Sequence, residues 1–418
     1  MRPLRIRLRN VIIGGGAILF VIAVYYFSHR KSHQIEIPSA KGSKDGMTSA
    51  MMSTIVNQPS FPNYNVHIFY YPWYGTPGVD KKWLHWNHPY LEHWNKIEQK
   101  KWPTGRHSPP DDLGSTFYPK LGPYSSKNET IINNHMEQIK KAGVGVLVLT
   151  WYPPGSSDEN GAPLDPVTIL VLDSAHKHEL KVCFHIEPYQ GRNAQSMNVN
   201  IKYIIDKYGK HPAFYRRVAK DGRELPVYYI YDSYNIPAAS WSQLLRPNSG
   251  LSLRGGKYDG IFIGLLVEEK HKIDLIGAGF DGFYTYFASD KFSFGSTLYN
   301  WKSLAEYAQR KNVLFIPSVG PGYNDRKVRP WNYVNNRNRD NGKYYERSLK
   351  MAFEIKPSIL SITSFNEWHE GTQIEEAVPH LATGDGGSYD DYSPNMPDFY
   401  LTLTRTWLSL SPDSLNRH

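Results

Sequence analysis

The chain has 418 residues, 40% of them apolar and 14% aromatic, with one cysteine and a formal net charge of +9. That much apolar material excludes a wholly disordered chain, and Cys183 alone excludes an intrachain disulfide, a zinc ribbon or a Cys-ligated iron–sulfur cluster. The charge is local: residues 1–60 hold 8 Lys/Arg against 2 Asp/Glu, leaving 40 against 37 for the other 358, so the bulk of the chain lacks a basic footprint for nucleic acid.

Four arginines (Arg2, Arg5, Arg7 and Arg9) precede an uncharged stretch from Asn10 to Ser28, which His29, Arg30 and Lys31 close. The apolar part, Val11 to Phe27, would be about 25 Å long as a helix, the short end of what spans a bilayer. A cleaved signal peptide is the competing reading, but Tyr25-Tyr26-Phe27 is a poor cleavage site where small residues are wanted. The expected organisation is a cytoplasmic tail over 1–10, a transmembrane signal-anchor over 11–28, a lumenal stem over 29–60 rich in Ser, Lys, Gly and Met, and a folded domain over 61–418. Asn128-Glu129-Thr130 is the single N-glycosylation sequon, consistent with a lumenal side.

From Phe61 onward, apolar runs recur: Val66 to Tyr71, Val144 to Trp151, Lys181 to Glu187, Val227 to Asp232, Gly260 to Leu266, Asp281 to Phe287, Val313 to Val319 and Ser358 to Phe365. They are continuous, not alternating, as expected of strands covered on both faces of a parallel sheet. Helix-like segments separate several of them: Thr130 to Ala142, Pro166 to His178, Asn198 to Tyr208 and Trp301 to Lys311. Strand and helix repeated eight times predict a (β/α)8 barrel with long strand-end loops. A doubly wound open sheet is the rival, weakened by the lack of a glycine-rich phosphate loop after the first strand.

Catalytic groups of such a barrel sit at the carboxyl ends of its strands. Here those ends are polar and aromatic: Tyr70-Tyr71-Pro72-Trp73-Tyr74, Trp151-Tyr152-Pro153-Pro154, His185-Ile186-Glu187-Pro188-Tyr189, Tyr229-Ile230-Tyr231-Asp232, Tyr284-Thr285-Tyr286, Gly320-Pro321-Gly322-Tyr323-Asn324-Asp325 and Asn366-Glu367-Trp368-His369-Glu370-Gly371. With 11 Trp and 30 Tyr in the chain, flat amphipathic rings suit the faces and edges of sugars, although they also fill large cores. Glu367 and Glu370 are the sharpest pair. Glycosidic cleavage needs one carboxylic acid to protonate the leaving oxygen and a second carboxylate across the reacting carbon. A random Glu-x-x-Glu is most often an exposed helical pair, but this one follows a buried-looking strand and is interleaved with Trp368 and His369. Glu375 and Glu376 read as solvated helix-start charges.

His185 and Glu187 alternate along one strand and so point the same way. A metal is the obvious other use of such residues, with His85, His88 and His93 nearby, but no HExxH or comparable ligand set occurs. Without an Asp-x-Asp, a cation-dependent nucleotide-sugar transferase also loses its usual handle. Arg192, Arg326 and Arg329 either bind acceptor hydroxyls or are ordinary surface charges, and Cys183 reads as a small buried residue.

The segments YYPWYGTPGVDKKWLHWNHPYLEHW, GRHSPPDDLGSTFYPKLGPYSS, WYPP, HIEPY, YDSY, LLVEEKHK, FDGFYTYFA, PSVGPGY and SITSFNEWHEGTQIEEAVP resemble the Golgi glycoprotein endo-α-1,2-mannosidase family, in the family's order from about Tyr64 to Trp407. The resemblance implies a (β/α)8 fold, a type II Golgi membrane protein, no cofactor or metal requirement, and hydrolysis of the internal α-1,2-mannosidic bond of glucosylated high-mannose N-glycans with retained configuration. It places Glu367 as the base that deprotonates the substrate's own 2-hydroxyl to form a 1,2-anhydro sugar, and Glu370 as the acid that protonates the leaving oxygen and then activates water. It also implies that Tyr152 and the loop Gly155 to Pro163, with Asp158, close over the terminal glucose, although Gly155-Ser156-Ser157 departs from the family pattern. Tyr71, Trp151, His185, Glu187, Tyr231, Tyr284 and Asn366 are the wider candidates for sugar-lining groups. The expected partners are therefore glycans and, through the anchor, a membrane, with no nucleic acid. A lumenal lectin that binds the same glycans without cleaving them is the alternative.

Overall fold

The computed structural model describes residues 61–158, 160–381 and 388–410. The expected tail, anchor and stem lie outside the described residues, and among those described no helix is long and apolar enough to cross a membrane.

All eight expected strand runs are present. They are β1 (Asn63–Tyr70), β2 (Val144–Trp151), β3 (Lys181–Ile186), β4 (Glu224–Ile230), β5 (Ile261–Leu265), β6 (Gly282–Tyr284), the consecutive pair β7 (Leu314–Ile316) and β8 (Ser318–Val319), and β9 (Leu360–Ile362). The spatial order is β8-β9-β1-β2-β3-β4-β5-β6-β7, every pairing parallel. Pro317 separates β7 from β8, so one stave pairs with β6 through Leu314–Ile316 and with β9 through Ser318–Val319. The sheet thereby returns on itself, which rules out the open-sheet rival.

Helices follow each stave: α1 (Glu129–Lys141), α2 (Asp165–Lys177), α3 (Ala194–Tyr208), α4 (Ala238–Leu245), α5 (His271–Ala278), α6 (Trp301–Lys311), α7 (Lys343–Glu354) and α8 (Phe399–Leu410). Local chemistry marks their ends. Asn128 accepts from the Thr130 N–H at the start of α1, while Lys140 and Lys141 sit in its last turn, where they favour the carbonyl end. Asn193 and Ser196 cap α3 reciprocally. Asn128 is thus the exposed N-cap of α1.

All eight residues of β2 are buried, as a strand with helices outside and barrel within requires. The interior is not the branched aliphatic stack usual for such barrels. Its lowest layer has His67, whose Nδ1 lies 2.7 Å from the Tyr229 hydroxyl; burial pushes His67 down to about 3, so it is neutral. Above it Phe69 packs on His185 and Tyr284, with ring centroids 4.8 and 5.8 Å away. Aromatic packing therefore carries the core directly up to the strand ends.

Candidate active site

After β9 the chain turns through Asn366 to Gly371, and each polar group of that turn is held from a neighbouring element. The Tyr71 N–H donates to Asn366 Oδ1 at 2.8 Å, and Asn366 Nδ2 donates back to the Tyr71 carbonyl at 2.9 Å. The Tyr74 hydroxyl donates to the Asn366 carbonyl at 2.9 Å, and the Glu367 N–H reaches Ser364 Oγ at 2.8 Å. Gly371 has φ +59°, and a Cβ there would lie 2.9 Å from the Asn324 carbonyl oxygen, so only glycine ends the turn without displacing its neighbour. Beneath it, Glu375 is fully buried and accepts from Tyr124 Oη (2.8 Å) and Trp368 Nε1 (3.0 Å), with His135 Nε2 at 3.2 Å. This corrects the solvated reading of Glu375: it anchors the indole between the two candidate acids. Glu376, half-buried, pairs with Lys120.

Glu367 and Glu370 both lie within this turn, their side chains largely withdrawn from water. Burial raises Glu367 well above the usual carboxylate range, and the neighbouring Glu370 raises it further; the His369 N–H, donating to Oε1 at 3.1 Å, opposes this. Burial also lifts Glu370, to about 7, against the pull of Arg329, whose Nη1 is 3.8 Å from Oε1. One proton therefore stays on the pair near neutral pH. That proton is held more firmly on Glu367, because the guanidinium lies nearer Glu370. Arg329 is no ordinary surface charge: it spans Glu370 and the fully buried Asp325.

Around the pair the structure gathers Tyr71, His185, Glu187 and Tyr231. The Tyr71 and Tyr286 hydroxyls meet in a short contact, and the Tyr286 ring lies 5.0 Å from that of Tyr231 and 5.7 Å from that of His185. His185 Nδ1 is 3.0 Å from Glu187 Oε1, which also accepts from Thr150 Oγ1 at 3.0 Å. Tyr284 lies one layer deeper, fully buried, with its hydroxyl 2.8 Å from His185 Nε2, so it props the imidazole from below. Besides Tyr284, two further candidates are not brought to the mouth. Trp151 alternates outward, its Nε1 donating to Asp165 at 3.1 Å and its ring beside Tyr203 in the helix layer. Asn366 has its amide filled by the Tyr71 backbone, which makes it a clamp on the turn.

Tyr152 packs with Leu84, Ala162 and Leu164 beneath the 155–163 loop. Asp158 does not face open solvent: its Oδ2 is 2.5 Å from His85 Nε2, and its Oδ1 accepts from the Asn160 N–H. His85 Nδ1 in turn lies 3.1 Å from His369 Nε2, and His369 Nδ1 lies 2.7 Å from the Gly114 carbonyl. Burial, with His88 and His85 beside it, holds His369 well below its ordinary value, so it is neutral. Its one proton must serve the carbonyl, leaving Nε2 as an acceptor that takes the His85 Nδ1 proton. The 2.5 Å contact of Nε2 with Asp158 completes a bridge that ties the loop to the residue between the two acids.

Tyr286, Arg329, Asp325, His85 and Trp73, whose ring stacks on His85 at 4.3 Å, were not singled out as site residues from sequence. Tyr286, Trp73 and Asp325 carried a signal as members of strand-end runs, Arg329 was weighed as a hydroxyl binder or a surface charge, and His85 was weighed only as a metal-ligand type. Among the described residues no group of three or more His, Cys, Asp or Glu could hold a metal ion.

A profile of glycosyl hydrolase family 99 matches residues 62–411. The chain is 56% identical over 354 residues to a glycoprotein endo-alpha-1,2-mannosidase of Rattus norvegicus, covering 84% of this chain and 76% of that protein. It is 50% identical over 399 residues to the one of Xenopus laevis (93% and 88%), and 54% identical over 343 residues to a glycoprotein endo-alpha-1,2-mannosidase-like protein of Homo sapiens (82% and 75%). The solved GH99 endo-alpha-mannosidase of Bacteroides thetaiotaomicron superposes with a TM-score of 0.78 at 45% identity, covering 85% of this chain and all of that one. With its barrel, its strand-end acids and a match across nearly all the described residues, the chain belongs to glycosyl hydrolase family 99.

Proposed function

We propose that this chain is a retaining, endo-acting glycoside hydrolase that cleaves the internal α-1,2-mannosidic bond of glucosylated high-mannose N-glycans and releases glucosyl-mannose. The observation that carries the reading is the buried Glu367/Glu370 pair, raised by burial so that it holds one proton at neutral pH, with tyrosines, His185 and Glu187 around it. The names of the relatives supply the substrate class.

In the proposed mechanism a substrate 2-hydroxyl donates to Glu367, supplying a hydrogen bond that its ionised form otherwise gets from the His369 N–H alone. That shifts the shared proton to Glu370. Glu367 then takes the hydroxyl proton as O2 attacks C1, the C1–O glycosidic bond breaks, and the leaving oxygen takes the Glu370 proton. Glu370, now ionised, removes a proton from water attacking C1 of the 1,2-anhydro sugar, and Glu367 returns its proton to O2. Two inversions at C1 give net retention. Arg329 keeps the ionised form of Glu370 accessible for the second step. Asp158 and Tyr152 belong to the loop that would cover the outer sugar, which requires the His85 bridge to rearrange or to leave Asp158 Oδ1 for the ligand.

The arginine-flanked apolar segment 11–28 supports a type II Golgi membrane anchor with the barrel lumenal, and the exposed Asn128 is the candidate glycan carrier. Mass spectrometry of a monoglucosylated high-mannose glycan incubated with the purified chain tests the reading. Loss of a glucosyl-mannose disaccharide is expected; a bound but unaltered glycan would favour the lectin alternative.

A further inference from the structure

Of two concavities, the smaller, about 500 Å³, adjoins the Glu370 turn through Asn324, whose N–H donates to the Glu370 carbonyl at 2.7 Å. The larger, about 1560 Å³, lies at the opposite end of the barrel, under the first residues of β1, β3, β5 and β7. Its wall holds eight lysines and arginines against four carboxylates. Since residues 61–418 as a whole hold 40 against 37, their net positive charge is gathered here and the remainder is slightly acidic. Three of the four acids are already paired: Asp221 and Asp259 with Arg223, Asp259 and Asp281 with Arg254. That leaves Glu224 against Lys181, Lys210, Arg216, Arg217, Lys220 and Arg246, none of which has a carboxylate within ion-pair distance among the described residues. Lys181 donates to the Pro212 carbonyl, Arg217 to Asn65 Oδ1 and Arg246 to the Ile276 and Gly277 carbonyls, all neutral groups. Like charges gathered without counter-charge repel one another, and an anionic partner relieves that repulsion.

A second feature selects the form of that partner. The short strand Arg216–Val218 lines the concavity and pairs antiparallel with β4, and with no other strand among the described residues. The Ala219 N–H donates to the Arg223 carbonyl at 2.8 Å. By the alternation of an antiparallel ladder, Arg217 then bonds to β4, while the backbone groups of Arg216 and Val218 point away from it. Pro226, which has no N–H to give, stands opposite Arg216, as that alternation allows. Arg216 is exposed and Val218 is 62% exposed. Such an edge is a template for another strand, and the cations along it discourage apolar and basic chains while leaving it open to an acidic one. The other occupants fit poorly. The concavity exceeds the ~300–1,000 Å³ of small-ligand sites, and a flat bilayer cannot enter it. The segment that leads into β1 is itself basic, with 8 Lys/Arg against 2 Asp/Glu over residues 1–60.

We propose that this end of the barrel docks an acidic polypeptide in extended form. Its backbone adds a strand beside Arg216–Val218, and its carboxylates meet Arg216, Lys220 and the neighbouring cations. The surface lies at the far end of the barrel from Glu367 and Glu370, so the proposal stands apart from the glycosidase reading. The test is fluorescence anisotropy of a labelled peptide of alternating Glu and Val, titrated with the full chain at low salt. Two further versions carry N-methyl groups, one on every Glu and one on every Val, because only one of these sets of amides can face the protein edge. Saturable binding is expected, weakened about tenfold or more in one methylated version and little changed in the other. An alternating Lys-Val peptide should not bind. Arg216→Glu combined with Lys220→Glu should weaken binding of the Glu-Val peptide about tenfold, with far-UV circular dichroism unchanged. The methylated peptides need no variant, so they decide the matter even where that protein fails to fold. No binding of the Glu-Val peptide, equal binding of the two methylated versions, or indifference to the charge reversal would overturn the proposal. Displacement by a sulfated hexasaccharide together with equal binding of the methylated versions would identify a general polyanion surface and overturn it as well.

Discussion

The two ends of the barrel supply their buried acids with different numbers of cationic partners. At the amino-terminal end of the strands lies the larger cavity, about 1560 Å³, and its aspartates are paired: Asp221 with Arg223, Asp259 with Arg223 and Arg254, Asp281 with Arg254. Burial would raise Asp259, but the Gly255 N–H, Arg223 and Arg254 together outweigh it and hold its carboxyl below the ordinary range. At the carboxyl-terminal end Glu367 and Glu370 are buried, Arg329 lies 3.8 Å from Glu370, and both carboxyls are raised. The larger cavity is therefore not where the raised glutamate pair lies. The balance of burial against the donors facing each carboxylate separates Asp259 from the glutamate pair; where burial outweighs the donors, as at the paired Asp281 and Asp325, the carboxyl is raised as well.

The contrast is broken most severely by removing the retained proton's carriers. Glu367→Gln and Glu370→Gln are each expected to lower kcat on a monoglucosylated glycan by about 10²–10⁴-fold, measured by disaccharide release, with far-UV circular dichroism unchanged. At the paired end the expected damage is to stability. Arg254→Ala strips donors from Asp259, Asp281 and the carbonyls of Leu245, Gly260 and Gly279 and should cost about 3–5 kcal/mol in denaturant unfolding, while kcat/KM of the folded fraction stays unchanged.

Glu370→Gln should also stabilise the fold where the ionised acid is a burden. A carboxyl raised from 4.5 to about 7 opposes folding increasingly as pH rises from 4.5 to 7, fully above that, and not at all below 4.5. A gain of about 1–3 kcal/mol is expected at pH 8 and none at pH 4; equal unfolding midpoints at pH 8 would contradict it.

How far the sequence carried these assignments depended on the range of the signal. Continuous apolar runs located every stave, because a strand covered on both faces leaves that pattern in any sequence, and the bounds of β2 and α6 match the expected ones. The Glu367/Glu370 pair was legible because strand, aromatic neighbours and spacing are all local. What escaped depends on where distant segments meet. Trp151 looked like a mouth residue until alternation along β2 turned it toward Asp165 and Tyr203. Glu375 looked solvated, since nothing near it in sequence shows that Tyr124 and His135 come from more than two hundred residues away. Arg329 looked ordinary for the same reason.

Smaller effects sharpen the picture at the active end. Arg329 lowers Glu370, so Arg329→Gln should move the alkaline limb of the kcat/KM profile, expected near pH 7, upward by about one pH unit; a downward shift would reverse the assigned electrostatics. Asp158→Ala removes the carboxylate of the His85 bridge and should raise KM about threefold to fivefold with kcat changed less, as expected for a loop that orders over substrate.

The central claim is that the pair keeps one proton near neutral pH. Carbon-13 NMR titration of the glutamate carboxyls, assigned through Glu367→Gln and Glu370→Gln, reads this directly. The predicted result is a carboxyl that remains protonated through pH 6 and a second titration near pH 7, shifted when its partner is replaced. Two carboxyls both fully ionised by about pH 5.5, each indifferent to replacement of the other, would contradict the account.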